Sequence, residues 1–261
     1  MRSYAHGRLS LPFFPSRHVP LTPKSVALDF QNLRLKTDDG EHIHCWFVPR
    51  PPSTDEAPLT ILFLHGNGGS LSSCLDTIAI CHQLGCSVLS ADYRGFGTSS
   101  GRPSVLGAIT DAHAAHNWLT KEYGCSPNHI VYFGRSLGGG VAAALASQKA
   151  PAGLILESTF TSIRAVARHL YPLLPTRWLF PQDFDTPARL DALHCPLLVM
   201  HSPHDRLVPY SMGCFLYERY QGPKHFAQLQ GSHGRGYLLD IPKYMMELST
   251  FLRTLRPEQQ N

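Results

Sequence analysis

Six short and mainly apolar segments, separated by stretches long enough for helices, constrain the fold of this chain more than any other feature of its sequence. The segments are Thr60 to Leu64, Ser87 to Ala91, Ile130 to Phe133, Gly153 to Leu156, Pro196 to Met200 and Phe226 to Leu229. The helix-like stretches between and after them are Leu71 to Leu84, Val105 to Tyr123, Leu137 to Gln148, Ile163 to Leu170, Ser211 to Tyr220 and Leu238 to Leu255. Strands that are apolar on both faces and alternate with helices are typical of a parallel sheet covered by helices. We therefore predict an α/β fold with a mostly parallel central sheet and helices on both faces.

The amino-terminal part of the chain has a different pattern. The turn sequence TDDG at 37–40 lies between the strand-like segments Val26 to Leu35 and His42 to Val48, and it predicts an antiparallel hairpin. Residues 1–25 are rich in proline and have little periodicity, so we expect an irregular arm there. Residues 26–261 contain no repeat and no low-complexity linker, and we predict that they form a single domain.

Charge, cysteine use and hydropathy exclude several classes of protein. The chain has 23 Lys and Arg against 19 Asp and Glu, scattered singly, so nucleic acid is not an expected partner. Its seven Cys form no CxxC pair and have no zinc-like spacing with the 15 His, so no metal site is predicted. No apolar stretch approaches the length of a membrane-spanning helix. We expect a cytoplasmic chain, or a membrane-associated one if an amino-terminal segment has been removed, and the oligomeric state stays open.

The sequence GRSLG at 134–138 directly follows the apolar segment Ile130 to Phe133 and precedes an alanine-rich helical stretch. Its two glycines allow a sharp turn that would leave Ser136 exposed at the start of the helix, as in a nucleophile elbow. The alternative is a glycine-rich turn in which Ser136 only caps the helix. The strand, turn and helix together favour a nucleophilic serine.

A serine nucleophile needs a base, and the base needs a carboxylate that orients it. Asp205 lies in the loop that follows Pro196 to Met200, and His233 lies in the glycine-flanked loop GSHG at 231–234. Since both follow Ser136 in the order of such a triad, we predict Asp205 as the acid and His233 as the base. Glu157, which directly follows the preceding predicted strand, is the alternative acid.

The glycine-rich loop HGNGGS at 65–70 follows the first of the six apolar segments. Such a loop brings backbone N–H groups close to a developing negative charge, because no side chains block the approach. We predict that the N–H groups of Asn67 and Leu137 form an oxyanion hole and that His65 supports the loop. A phosphate cradle is the competing use of such a loop, but the GK[ST] sequence is missing.

Five motifs, in this order, resemble those of the α/β-hydrolase superfamily: LHGNGG from Leu64, DYRGFG from Asp92, GRSLGG from Gly134, HxxxDxxVP from His201 and GSHG from Gly231. The resemblance covers about residues 26–255. It is strongest to single-domain serine esterases related to the depalmitoylating α/β-hydrolase-domain proteins and to serine aminopeptidase-like hydrolases. It implies the same roles for Ser136, Asp205, His233, Asn67 and Leu137. The predicted serine mechanism calls for no metal or organic cofactor.

The predicted activity is the hydrolysis of a small-molecule carboxylic ester or thioester through an acyl-enzyme. Two alternatives stay open: a peptidase acting on short amino-terminal peptides, and a non-catalytic binding protein on the same scaffold. Residues 160–184 carry more apolar surface than one buried helix face needs. They are expected either to form a small cap over the site or to pack on the sheet as an ordinary crossover segment.

Overall fold

One eight-stranded sheet forms the centre of the protein. The structure, a computed structural model, describes residues 13–51, 58–173, 175–179, 184–234 and 236–256. Its strands are β1 (Gln31–Lys36), β2 (His42–Val48), β3 (Thr60–Leu64), β4 (Ser87–Asp92), β5 (Ile130–Arg135), β6 (Gly153–Glu157), β7 (Leu197–His201) and β8 (Lys224–Gln228). They lie side by side in the order β1-β2-β4-β3-β5-β6-β7-β8, and the strands from β3 to β8 pair in parallel. The predicted α/β fold class is confirmed.

The amino-terminal strands form the predicted antiparallel hairpin. In this hairpin Lys36 pairs with His42 across the turn, and β2 continues the sheet by pairing antiparallel with β4. The first strand begins at Gln31 and not at Val26, because Pro23–Val26 form a short 3₁₀ turn.

Within the described residues, six helices lie where the sequence predicts them, with differences at their ends, and two short ones between residues 176 and 190 are not predicted. In chain order, the helices are α1 (Leu75–Gln83), α2 (Val105–Asn117), α3 (Leu137–Ala146), α4 (Ile163–Leu170), α5 (Thr176–Leu179), α6 (Thr186–Leu190), α7 (Tyr210–Arg219) and α8 (Ile241–Thr254). The predicted first helix is divided into a 3₁₀ turn at Leu71–Cys74 and α1. The last helix begins three residues later than predicted, because the Asp240 side chain accepts the Lys243 N–H and so caps it there.

The core lies in two layers, one on each face of the sheet. On β3, Leu62 packs with helices α2 and α3, whereas the neighbouring Phe63 packs with α1 and α8 on the other face. Across the sheet Phe63 stacks edge to face on Phe133 of β5, with ring centroids 5.2 Å apart. This alternation of buried side chains explains why the central strands are apolar on both faces.

Helix α3 lies close to the sheet, and all ten of its residues are buried. A methyl group on Gly138 would overlap the carbonyl oxygen of Leu64, and one on Gly139 would overlap the side chain of Thr159. Glycine at these positions therefore lets the backbone of α3 approach β3 and the segment after β6.

The described part of the predicted amino-terminal arm lies against the loop after β3. Pro15 forms a bridge with Gly69, where the Ser16 N–H donates to the Gly69 carbonyl at 2.9 Å. Phe13 packs edge to face on Phe96. The division into an arm and one domain with a cap stays a prediction.

Parts of several predicted segments lie outside the described residues: 1–12 of the arm, 52–57 of the loop before β3, and 174 and 180–183 of the proposed cap. None of the helices within the described ranges combines the length and the apolar character that a membrane span requires.

Candidate active site

The structure brings three of the predicted site side chains together at the carboxyl edge of the sheet. Ser136 follows β5, Asp205 follows β7 and His233 follows β8. The Nε2 atom of His233 lies 2.9 Å from the Ser136 hydroxyl oxygen, and its Nδ1 atom lies 2.7 Å from Oδ2 of Asp205. The loops after parallel strands meet at one edge, which explains how residues almost 100 positions apart come into contact.

The backbone around Ser136 makes a sharp, strained turn. Ser136 has a φ of 54° and a ψ of −115°, a conformation that residues other than glycine rarely adopt. Its N–H donates to the carbonyl of Glu157 at 2.8 Å. A methyl group on Gly134 would overlap the Gly138 carbonyl, so the turn closes only with glycine at 134. This geometry places the serine at the amino end of α3, as an elbow requires.

Asp205 is buried and held from both sides. Its Oδ1 accepts the N–H groups of Leu207 and Val208, each at 2.9 Å, while Oδ2 faces His233. His201 contributes a further contact, with its Nε2 3.4 Å from the same Oδ2. Burial alone would raise the pKa of Asp205, but hydrogen bonds from His201 and His233 outweigh it and hold the pKa well below its ordinary value. Asp205 is therefore a carboxylate near neutral pH.

The contact of His201 with Asp205 was not assigned from the sequence. His201 is fully buried, and its Nε2 also lies 3.0 Å from the carbonyl of Val208. The spacing His-x-x-x-Asp was the available signal, since His201 ends β7 and Asp205 lies in the loop that directly follows.

Glu157, the alternative acid, is engaged elsewhere. Nε of Arg135 donates to its Oε1 at 2.8 Å, and the Tyr244 hydroxyl donates to its Oε2 at 2.7 Å. Although burial opposes the charge on Arg135, the Glu157 carboxylate raises the pKa of the guanidinium above its ordinary value. The two side chains thus form a buried ion pair, whereas His233 faces Asp205.

The loop after β3 lies over Ser136. A methyl group on Gly66 would sit 3.5 Å from Cβ of Ser136, an ordinary van der Waals distance, so the loop passes close to Ser136. Asn67 is the next residue, and its side-chain oxygen accepts the Phe14 N–H at 3.0 Å. On the other side of Ser136, Leu137 begins α3, where the first N–H groups have no partner within the helix. Both predicted oxyanion donors therefore belong to backbone segments that adjoin Ser136.

His65 anchors this loop from below. Its Nδ1 lies 2.7 Å from the Gly66 carbonyl, and its Nε2 lies 3.5 Å from Oδ1 of the fully buried Asp92. The Tyr93 hydroxyl donates to the His65 carbonyl at 3.1 Å. Burial raises the pKa of Asp92, but His44 and His65 together lower it below the ordinary value. These contacts support the structural role that the sequence predicts for His65.

An open cavity of about 540 Å³ adjoins His233. It is lined by His204, Arg206, Leu207, Gly231, Ser232 and His233. Of this lining, the sequence indicates a site only at His233 and the GSHG motif around it, and not at His204, Arg206 or Leu207.

Within the described residues, the structure shows neither a cluster of metal ligands nor a disulfide at the site. No group of three His, Cys, Asp or Glu side chains is arranged there to hold a metal ion. All seven cysteines lie in described segments, and all are free.

Comparison with known proteins gives relatives in bacteria and eukaryotes. The hydrolase family model described as serine aminopeptidase S33 matches residues 55–182. An uncharacterized protein of Mycobacterium tuberculosis is 36% identical over 231 residues, which are 88% of this chain and 82% of that protein. The human alpha/beta hydrolase domain-containing protein 17B is 32% identical over 220 residues, 83% of this chain and 73% of its own length.

A solved structure with the same fold is that of the Pyrococcus furiosus esterase Pf2001. It superposes with a TM-score of 0.76 at 20% identity, covering 94% of this chain and 98% of the esterase. Together with the sequence relatives and the geometry above, this similarity shows that the chain belongs to the α/β-hydrolase superfamily.

Proposed function

We propose that this chain hydrolyses carboxylic esters or thioesters through an acyl-enzyme formed on Ser136. Membership of the superfamily gives the general class, a hydrolase. The observation that carries the finer proposal is the continuous hydrogen-bonded row from Ser136 through His233 to Asp205, with distances of 2.9 and 2.7 Å. Both distances are those of hydrogen bonds, and the first is short enough for His233 to take the proton of the Ser136 hydroxyl.

In the first half of the reaction, the Ser136 oxygen attacks the acyl carbon while its proton passes to Nε2 of His233. Asp205 holds the imidazole so that Nε2 faces the serine, and its negative charge stabilises the imidazolium that forms. The tetrahedral intermediate then collapses, the bond from the acyl carbon to the leaving oxygen or sulfur breaks, and His233 returns the proton to the leaving group.

In the second half, water takes the place of the leaving group. His233 removes a proton from this water as the water oxygen bonds to the acyl carbon. The bond between the acyl carbon and the Ser136 oxygen then breaks, and His233 returns the proton to that oxygen. The free acid and the original enzyme result, so each catalytic group is restored.

The backbone N–H groups of Asn67 and Leu137 are the proposed donors to the oxyanion. Charge develops on the acyl oxygen in the tetrahedral intermediate, and fixed donors stabilise it without reorganising. The closeness of Gly66 to Ser136 supports this assignment, because Asn67 directly follows Gly66 in the chain.

Peptide hydrolysis is the second candidate, since the family model that matches the chain is described as a serine aminopeptidase. The same side chains would attack an amide, so the geometry of the triad does not separate the two substrates. Among the structural relatives, Est1E of Butyrivibrio proteoclasticus was solved with ferulic acid bound, and Pf2001 is described as an esterase. The descriptions of these two structural relatives favour ester hydrolysis over peptide hydrolysis.

The test replaces Ser136 with Ala and measures the hydrolysis of p-nitrophenyl esters of increasing acyl length, with aminoacyl p-nitroanilides in parallel. Loss of a triad nucleophile lowers turnover by up to about a million-fold. We expect Ser136→Ala to lose ester hydrolysis and labelling by a fluorophosphonate probe together. Ser147→Ala removes a hydroxyl group from the other end of α3 and serves as the matched control.

Unchanged ester hydrolysis by correctly folded Ser136→Ala would remove the mechanism. Hydrolysis of the anilides but not of the esters would show that the chain is a peptidase and not an esterase. A wild-type chain that neither reacts with the probe nor turns over any substrate would instead be a binding protein on this scaffold.

A further inference from the structure

The position of His233 determines where the leaving group of the proposed reaction must lie. His233 delivers its proton from Nε2, so the leaving oxygen or sulfur has to come within hydrogen-bond distance of that atom. The open cavity of about 540 Å³ has His233 in its wall. His233 therefore adjoins both Ser136 and this cavity, so a leaving group held at Nε2 has the cavity beside it.

The lining of this cavity carries basic groups and no acidic ones. Arg206 and His204 are both exposed side chains on its wall, and the lining includes neither Asp nor Glu. Within the described part of the chain, the guanidinium of Arg206 has no carboxylate partner, unlike those of Arg94, Arg135 and Arg219. Its charge is thus available to a ligand in the cavity.

The nearby carboxylate of Asp205 does not neutralise this charge. Asp205 is buried, and its two oxygens face the backbone N–H groups of Leu207 and Val208 and the imidazole of His233. These same hydrogen bonds fix the backbone on both sides of Arg206, so the loop that presents the guanidinium is held in place.

We infer that this cavity is a leaving-group subsite that takes an anion, namely an alcohol or thiol bearing a carboxylate or a phosphate. The inference rests on the proposed function, since it concerns the part of the substrate that leaves Ser136. A guanidinium is well suited to such groups, because its planar set of donors matches both carboxylate and phosphate oxygens. Leu207, also in the wall, would contact the apolar part of the leaving group.

The experiment compares three acetate esters of para-substituted phenols that differ in charge. The substituents are a neutral carboxamide, a carboxylate and a phosphate, which also separates the two kinds of anion. The value of kcat/KM is measured for wild type, Arg206→Gln, Arg206→Lys and Lys149→Gln. Lys149 follows the far end of α3, so Lys149→Gln removes the same charge at the opposite edge of the sheet.

We expect Arg206→Gln to lower kcat/KM about fivefold for the carboxylate ester, as for a partly exposed charged hydrogen bond, and further for the phosphate ester. The neutral ester should stay within about twofold, because it gains nothing from the guanidinium. Intrinsic ester reactivity cancels in each ratio of variant to wild type. Arg206→Lys should keep part of the preference, Lys149→Gln should keep all of it, and added salt should reduce it.

An equal loss for all three esters in Arg206→Gln would overturn the subsite, because it would show that Arg206 only supports the Asp205 loop. Unchanged kinetics for all three would overturn it as well. In both cases the neutral ester would still be hydrolysed by wild type, and the proposed function would stand. If wild type hydrolysed none of the three, the proposed function would fail and the subsite with it.

Discussion

The carboxyl ends of β6 and β7 each hold a fully buried carboxylate, yet the two carboxylates have opposite surroundings. Glu157 at the end of β6 faces the guanidinium of Arg135, and the two charges compensate each other. Asp205 after β7 faces backbone N–H groups and an imidazole that carries a full charge only when protonated. The permanent charge of Arg135 thus neutralises Glu157. Asp205 has no permanent counter-charge among the described residues and can stabilise the positive charge that appears on His233 during a reaction.

The difference shows that position along the sheet does not by itself select the acid of a triad. Both carboxylates lie at the carboxyl edge of the sheet, Glu157 at the end of β6 and Asp205 after the neighbouring strand β7. What separates them is the partner that each has within hydrogen-bond distance. Substitutions at the two positions should therefore have different consequences.

Of the substitutions that test this comparison, Asp205→Asn should have the largest effect. The amide oxygen still accepts the N–H groups of the loop, but the amide nitrogen would donate to His233 and favour the wrong tautomer. In the best-studied triad the same change lowers kcat by about 10⁴. Steady-state kinetics on a p-nitrophenyl ester, with far-ultraviolet circular dichroism as the control for folding, would measure it. Nearly normal turnover in Asp205→Asn would show that the acid has been misassigned.

Glu157→Gln should affect stability much more than turnover. It leaves Arg135 buried without its counter-charge, and breaking a buried ion pair costs about 3 to 5 kcal/mol. Urea unfolding would measure this loss in the free energy of unfolding. The double variant Arg135→Met with Glu157→Leu should recover much of it, since it leaves no buried charge. A stable Glu157→Gln enzyme with crippled turnover would reverse the roles given to the two carboxylates.

A smaller effect concerns acid pH. The pKa of Asp205 is lower in the folded chain than in an unfolded one, so its contribution to stability is present above the ordinary Asp value of about 3.9 and is lost as the pH falls further. The gap in unfolding free energy between wild type and Asp205→Asn should narrow as the pH falls from about 5 to about 3, by at most about 1.4 kcal/mol per pH unit. A constant gap across this range would contradict the lowered pKa.

The smallest effect tests the cap proposed for residues 160–184, the segment that follows β6. Trp178 and Leu173 are 84% and 98% exposed. If this segment covers an acyl chain, Trp178→Ala should change the ratio of long-chain to short-chain ester hydrolysis by about three- to fivefold, the value of roughly one buried methylene group. Phe215→Ala, an exposed aromatic on α7, is the control. An unaltered ratio would make the segment an ordinary crossover.

The elements that the sequence predicts well are those in which local pattern and fold agree. The strand before Ser136, the glycine turn and the helix after it are adjacent in the chain, so their arrangement follows from local sequence. The order of Ser136, Asp205 and His233 predicted their meeting, because parallel strands end at one edge. Their catalytic roles stay predictions.

What the sequence does not show depends on contacts between distant residues. The ion pair of Arg135 with Glu157 requires the register of β5 beside β6, and Tyr244 joins it from the last helix. Nothing near Asn67 in the sequence indicates that Phe14 would donate to its side chain. Helices α5 and α6, with four and five residues, are too short for a periodic pattern to predict.

For protein engineering, the close packing of α3 against the sheet means that substitutions in α3 and substitutions in the exposed loops of the site have different consequences. Gly138 and Gly139 have no room for a methyl group, so a library of variants at these positions would consist mostly of chains that do not fold. Arg206, Leu207 and Trp178 are exposed and can be varied with little effect on packing. A search for new substrate specificity should therefore randomise the loops after β6 and β7 and leave the nucleophile's helix untouched.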